Sequence, residues 1–386
     1  MTITYKRRTA TIPDRWEQLT TDQFLHLAAD LMRLAAGQVS VGELRLRLLC
    51  HVMGWRPHRM KDPDTLANAI ALSERITFPL RITYPQEADQ YILPLPRQQR
   101  EQVRRIDPFR LRLPVAEKLR QMDYRYTIDL MFCKQFLPVL KTRRHEYPGY
   151  VISTAYDTLT LSLTAMQYIE AMMIAREGMN GMDGANGANG ANGHGVNGHG
   201  VNGHGVNGLN GSNGQASPSS PSSPLTPSSS SPLTPSSSSP SPSSHLPLLA
   251  AILYTPQPYS SEAAHAIADD LATLPPETLQ AVAWNFQALN NFIFTLTPFS
   301  LLAQVKERRS PPIATDAADA LYDLSADGLG NSTEVEQMNI ITYLRILRKK
   351  TIDTVRLMRS HQIGTPQISA HTGLPLNTIN QIIGMP

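Results

Sequence analysis

The chain alternates stretches of helical apolar spacing with breaks of glycine and proline. Phe24, Leu27, Ala28, Leu31 and Ala35 follow the i, i+3, i+4, i+7 rule of a helix with one buried face, and Gly37 stops it. The entry to that helix is Leu19-Thr20-Thr21-Asp22-Gln23-Phe24-Leu25. Thr20 as N-cap puts Gln23 at N3, where its amide returns a hydrogen bond, while Leu19 reaches the ring of Phe24. The same capping box and staple recur in Leu163-Thr164-Ala165-Met166-Gln167-Tyr168-Ile169. Ser40 with Glu43, and Val39 with Leu44, start another helix that ends at Gly54. Asp62-Pro63 starts a third, with Leu66, Ala69 and Ile70 as its short buried face.

Between Arg75 and Pro96 the period changes. Ile76-Thr77-Phe78, Leu80-Arg81-Ile82-Thr83-Tyr84 and Tyr91-Ile92-Leu93 alternate β-branched or aromatic residues with polar ones, which predicts two or three short strands. Pro79, Pro85, Pro94 and Pro96 confine them to an edge or a small hairpin. An arginine-rich segment follows, with Arg97, Arg100, Arg104, Arg105, Arg110, Arg112, Arg120 and Arg125 interleaved by Glu101, Asp107, Glu117 and Asp123. Interleaved acids predict a charged face rather than a phosphate grip. Ile128, Met131, Phe132, Phe136 and Leu140 predict a helix over 127–140, kinked at Pro138.

The helix opened by Thr164 ends near Glu177, where Gly-Asn-Ala and Gly-His-Val-Asn repeats begin, followed by Ser-Pro tracts to 245. Such a segment has almost nothing to bury and predicts a disordered insertion. His194, His199 and His204 recur every five residues, which repeat expansion explains without a metal. Leu246 to Leu253 then resumes as a run too apolar to stand alone. We expect it to pack on the equally apolar 166–175, with the insertion looped out between them. Ser260 and Pro275-Pro276 start two further helices, the second long and buried through Leu279, Val282, Phe286, Leu289 and Ile293. Residues 313–324 predict a short acidic helix, and 332–360 a long one lying partly outside the main domain.

Of 386 residues about 318 remain for folding, and an apolar share of 41% with a mean hydropathy of -0.24 suits a folded core. Charge is uneven: residues 1–177 carry 26 Lys or Arg against 19 Asp or Glu, a net of +7, whereas 246–386 carry 9 against 12, a net of -3. Pairing between the halves, or an acidic partner, follows from that. Cys50 and Cys133, each in an apolar helical pattern, predict buried free thiols and a reducing compartment. No apolar run backs the basic Met1 to Arg8 or nears the roughly 18 residues of a membrane span, so a cytoplasmic location is expected.

No chemistry-bearing constellation emerges from the spacing. Asp269-Asp270 and Asp316 with Asp319 fall on polar helix faces, His26, His51 and His58 lack metal-ligand spacing, and the glycines do not form a phosphate loop. We therefore expect a non-enzyme with no catalytic residue, no metal and no cofactor. One motif points elsewhere. Thr365 to Ile383 resembles a helix-turn-helix, with Ser369 at the small position, Gly373 at the turn, and Ile368, Leu374, Ile379 and Ile382 packing the two helices. If it meets DNA, Asn377, Thr378, Asn380 and Gln381 approach base edges, and phosphate contacts come from the preceding helix because no Lys or Arg follows Arg359. Pro375 stands where the second helix is usually capped, and a plain helical hairpin packed on the body is the alternative reading of the same residues.

The layout as a whole carries a second lead. Ile12-Pro13, Trp16, Leu19-Thr20 with Gln23-Phe24, the short strand region, Leu159-Thr160, Leu163-Thr164 with Gln167-Tyr168-Ile169-Glu170-Ala171, and Leu249-Ala250-Ala251-Ile252-Leu253-Tyr254 with Pro256 resemble uncharacterised helical proteins of bacteriophage and prophage tail modules. The resemblance covers about residues 12–300 and implies a structural or chaperone-like assembly role through protein contacts. The expected fold is mainly α: one discontinuous helical domain over 1–177 and 246–330 with a small β-hairpin element, the insertion 178–245, and a helical extension 331–386.

Overall fold

The computed structural model describes residues 2–5, 8–55, 62–154, 158–186, 245–304 and 330–384. The protein is mainly helical, with small two-stranded antiparallel sheets. Most of the His/Gly and Ser/Pro block, the acidic stretch 313–324, His58, Asp316 and Asp319 lie outside the described residues.

A first strand pair, β1 (Thr2–Tyr5) and β2 (Arg8–Thr11), precedes α1 (Thr21–Ala35), α2 (Val41–Met53) and α3 (Pro63–Ser73). These three start as the sequence predicts. Thr20 accepts from the Gln23 amide at 3.2 Å and Gln23 Oε1 returns the bond to the Thr20 N–H at 3.0 Å; Ser40 and Asp62 cap α2 and α3. Ile70, expected on the buried face of α3, is exposed instead.

The expected local hairpin within 76–93 does not form. Only β3 (Leu80–Thr83) is a strand, and its partner is β4 (Arg125–Ile128), far along the chain. Pro85 ends the strand by withholding a donor, and Tyr91-Ile92 falls in a helical turn. Between the two strands stand α4 (Asp89–Ile92), α5 (Arg97–Arg105) and α6 (Ala116–Leu119), closing on their own small core of Ala88, Ile92, Val103, Leu111, Ala116 and Leu119. A lobe hung on a two-strand stalk results.

The helix expected over 127–140 is absent too. After β4 the chain runs as an irregular strip from Asp129 to Pro138 into β5 (Val139–Lys141), which pairs with β6 (Glu146–Pro148). The strip is threaded through the interior, with Leu130, Phe132, Phe136 and Leu137 buried. Buried backbone must find partners, and here side chains provide them. Asn285 accepts from the Phe136 N–H and donates to the Lys134 carbonyl, both at 2.8 Å. Asn291 donates to Leu130 O at 2.8 Å, Thr21 to Phe136 O at 2.9 Å, and the Trp16 indole to Asp129 O at 2.7 Å. The Tyr254 hydroxyl reaches Leu137 O. Its ring lies so close to Gly149 that a Cβ there would stand 2.6 Å from it, which is why glycine occupies the position. With this many long-range partners the extended form outcompetes the helix that the apolar period suggests.

A short pair, β7 (Ile152–Ser153) with β8 (Thr160–Leu161), leads into α7 (Ala165–Asn186), which continues past Glu177 into the first residues of the repeat block. Then follow α8 (His245–Tyr254), α9 (Ser261–Leu271), α10 (Pro276–Leu296) and α11 (Ser300–Ala303). Helices α7 and α8 pack together across the insertion. Thr164 caps α7 as expected, accepting from the Gln167 N–H at 3.2 Å, but the Gln167 amide does not turn back to it. Fully buried, it donates to Ile252 O at 2.7 Å and Thr255 O at 3.3 Å, and accepts from Gln257 at 2.8 Å.

The helix predicted over 332–360 is two, α12 (Ser332–Glu336) and α13 (Ile340–Ser360). At the break the chain runs beside the entry to α7: Ala165 N–H donates to Met338 O at 2.7 Å and Ile340 N–H to Leu163 O at 3.0 Å, while Asn339 caps α13. Ile340, Ile341, Tyr343 and Leu344 join the main core, so this part of the expected extension lies within the body. The chain ends with α14 (Thr365–Thr372) and α15 (Leu376–Gly384). One core takes side chains from both sides of the insertion, with Phe24 stacked on Phe136 at 4.2 Å near its centre. Among the described residues no helix is long and apolar enough to cross a membrane.

Two substitutions test this scaffold. Asn285→Ala leaves two strip groups unpaired and should cost about 2–4 kcal/mol in chemical denaturation. Gln167→Ala should cost about 2–3 kcal/mol, whereas Gln23→Ala, which removes the same residue from an exposed capping box, should cost about 0.5–1 kcal/mol.

Candidate functional site

Two regions of the molecule combine polar chemistry with an open surface. The first is the carboxyl-terminal unit. Helices α13, α14 and α15 pack on one another around Val355, Ile368, Leu374, Ile379 and Ile382, a small core separate from the main one. Gly373 makes the turn between α14 and α15 with φ 72, a conformation that costs a side-chain-bearing residue strain. Two short helices joined by a glycine turn thus stand where the spacing predicts them, preceded by a third helix. Asn377, Asn380 and Gln381 lie exposed on one face of α15. Thr378 does not join them: it is buried, and its hydroxyl donates to the Gln304 amide oxygen after α11. It acts as a clamp on the body and is withdrawn from any base contact. From Ile340 to Gly384 there are six Lys or Arg and one Asp. Arg345, Lys349 and Arg356 fall within about 40° of one another around α13.

The second region is a cleft of about 540 Å³ between α2, the turn after α3 and the lobe. Part of the arginine-rich segment forms one wall, where its Arg105 and Arg110 are matched. Arg110 pairs with Glu74, Arg105 with Asp129 at 3.1 Å and with Glu101 at 3.7 Å, and Arg81 with Glu101 at 3.5 Å. Asp107 is taken by the Tyr126 hydroxyl at 2.8 Å, the Tyr124 hydroxyl at 3.3 Å and the Phe109 N–H at 2.9 Å. Burial, with Asp107 beside it, pushes the Tyr126 phenol well above its ordinary range.

On the opposite wall stands Arg45, only 7% exposed, with the Tyr126 ring 5.8 Å beneath its guanidinium. Its Nε and Nη2 have no hydrogen-bond partner. Burial lowers its affinity for the proton, which the Tyr126 and Asp107 charges partly offset. Sequence reasoning passed over this residue, though a signal was present. Val41, Leu48, Leu49 and Val52 stand at i-4, i+3, i+4 and i+7 from Arg45, placing it on the apolar arc of α2, whereas Arg47 lies off it.

The histidines that lacked metal spacing are brought together by the packing of α1 on α2. The His26 and His51 rings stack at 4.1 Å, His51 lies 2.8 Å from Asp22, and His26 lies 3.4 Å from the buried Asp30, which Arg33 also holds at 2.9 Å. Asp270 proves to be a brace between α9 and the β5–β6 turn. It accepts from Tyr147 at 2.7 Å, Thr142 at 2.8 Å and His145 at 3.2 Å, and those bonds hold its carboxyl below the usual range. Cys50 and Cys133 are free; burial, reinforced by Glu17, pushes the Cys133 thiol up to about 11. Cys133 lies in the irregular strip rather than in the expected helix.

No family model, no curated protein and no solved structure matches the chain. The class that fold and site define is therefore a mainly helical protein with a basic three-helix terminus and an arginine-walled cleft.

The histidine pair yields a pH prediction. Burial first, then the His51 ring and Arg33, lower the His26 pKa below 6.5 against the opposing pull of Asp30 and Asp22. Below about pH 6.5 the unfolded chain binds a proton that the folded His26 resists, so stability present above that value is lost as pH falls toward the depressed folded value. In urea unfolding at pH 7.5 and 5.5, His26→Gln should show a smaller drop in midpoint than the wild-type protein.

Proposed function

We propose that the chain is a non-enzymatic assembly protein that works through protein contacts, of the kind its layout resembles in phage and prophage tail modules. The lobe between β3 and β4 is the observation that carries this reading. It has its own core, is tied to the body by a two-strand stalk, and presents Phe109 at 66% exposure and Leu93 at 57% amid its arginines. Arg120 lies 6.0 Å from the Phe109 ring. Aromatic residues and arginine supply most of the energy at protein interfaces, and an acidic partner with an apolar pocket complements them.

Phe109→Asp leaves the lobe core untouched, so the thermal midpoint should stay within about 2 °C. Co-expressed with the products of neighbouring genes, the wild-type chain should co-elute with one of them, and the variant should bind at least about tenfold more weakly. Equal binding by the variant removes the lobe from the reading, and co-elution with none of those products removes the assembly role.

One observation favours a second reading, DNA binding by the terminal unit: the exposed amide stripe of α15 beside a helix with clustered cations. Retention on DNA should then fall with salt, Lys349→Gln should reduce the salt slope by about 1, and Asn380→Ala with Gln381→Ala should relax sequence preference. Salt-insensitive or absent retention excludes it.

A further inference from the structure

We propose that the outer face of α5 is a docking strip for an acidic helix of a protein partner, gripped by Arg97, Arg100 and Arg104. The inference rests on the reading of the lobe as a contact surface and names the chemistry of what that surface meets. Helix α5 turns three different faces to its surroundings. Gln98, Glu101, Gln102 and Arg105 line the cleft, and Val103 enters the core of the lobe. At about 100° per residue, Arg97, Arg100 and Arg104 fall within about 60° of one another, between those two directions. The one acid of the helix, Glu101, is held by Arg81 and Arg105. Among the described residues the three outer arginines meet no acid and no acceptor for their side chains, in contrast to Arg81, Arg105, Arg110 and Arg120. Arg97 is exposed, and Arg100 and Arg104 are half-buried without any unpartnered nitrogen shut off from water.

Charge decides what fits. The i, i+3, i+7 spacing sets three guanidinium groups along about 10 Å of helix, each able to take a carboxylate on two N–H groups. A partner helix with acids at the same intervals presents its carboxylates on one face with a matching rise. A nucleic acid fits less well. Between the two stalk strands, residues 84–124 carry 8 Lys or Arg against 6 Asp or Glu, a net of +2, and Glu87, Asp89, Glu117 and Asp123 stand exposed there. A continuous polyanion would press on those acids, whereas a protein surface of mixed charge avoids or pairs them. Leu93, four residues before Arg97 and 57% exposed, adds apolar area close by in the chain. Exposed ion pairs are individually weak, so the grip needs all three arginines and fades with salt.

The test uses the full chain and a fluorescent, amidated peptide of about 20 alanine and glutamate residues, its glutamates repeating at i, i+3 and i+7. The comparisons are a peptide of the same composition with glutamates spread around the helix, and a DNA duplex of similar length. The first peptide should bind more tightly than either, with an affinity that falls as salt rises. Arg97→Gln, Arg100→Gln and Arg104→Gln together should weaken it about tenfold at an unchanged thermal midpoint. Arg112→Gln, Lys118→Gln and Arg125→Gln together remove the same charge from exposed positions outside α5 and should weaken it less than about threefold. Phe109→Asp should bind the peptide within about threefold of the wild-type chain, which keeps failure of the strip distinguishable from failure of the co-elution test of the lobe. The proposal is overturned if the two triple variants lose binding equally, if the spread peptide or the duplex binds as tightly as the first peptide, or if peptide binding is absent or insensitive to salt.

Discussion

The structure depends on keeping one length of irregular backbone dry. Residues 129–138 cross the interior without helix or sheet bonds of their own, so their buried N–H and C=O groups must find other partners. The two ends meet backbone, with Asp129 N–H on Pro79 O and Gly149 N–H on Pro138 O, and distant side chains meet much of the middle. Trp16 and Thr21 come from the amino-terminal segment, Asn285 and Asn291 from α10, and Tyr254 from the end of α8. Elements on both sides of the insertion thus share a requirement stricter than apolar packing. Hydrophobic contacts tolerate a shift of a few tenths of an ångström, whereas a buried amide with two partners on the strip does not. The strip fixes where α10 and α8 stand relative to α1.

That constraint explains what was legible in the sequence. Helix starts at Thr20, Ser40, Asp62 and Ser260 were readable because cap, N3 and staple lie within a few consecutive residues. The strip was not, since its partners are more than a hundred residues distant and its phenylalanines happen to fall at helical intervals. The paired motifs Leu19-Thr20-x-x-Gln23 and Leu163-Thr164-x-x-Gln167 show the limit of local code. Both threonines cap, yet Gln23 closes a surface box while Gln167 is taken by the carbonyls at the end of α8. Burial changes which partner an amide needs most: an exposed N-cap N–H has water, and a buried helix-end carbonyl has none.

The same logic separates the visible from the hidden parts of the candidate sites. The two terminal helices and their turn were legible because Gly373 and the four core positions Ile368, Leu374, Ile379 and Ile382 lie close together in the chain. Arg45 carries its meaning only in three dimensions, where neighbouring acids prove to be spoken for. His26 and His51 meet only because α1 packs on α2, and no one-dimensional spacing encodes that. Pairing exhausts the cations of the arginine-rich segment that line the cleft, the reverse of what a run of arginines suggests when read alone.

How firmly the terminal unit is held decides what it can do. Helix α13 spans about 30 Å, its first turns in the main core and its later ones, through Val355, in the small one. A single helix would leave the unit free to swing by bending. A second tether forbids that: Leu301 of α11 enters the small core, Gln304 accepts from Thr378, and Arg348 donates to Pro298 O at 3.1 Å. Thr378 therefore trades a role at the exposed face for one in orientation. Whatever meets Asn377, Asn380 and Gln381 meets a face fixed to the body, so its binding must accommodate the bulk of the whole protein beside it. A broad partner surface satisfies that condition as readily as a duplex does.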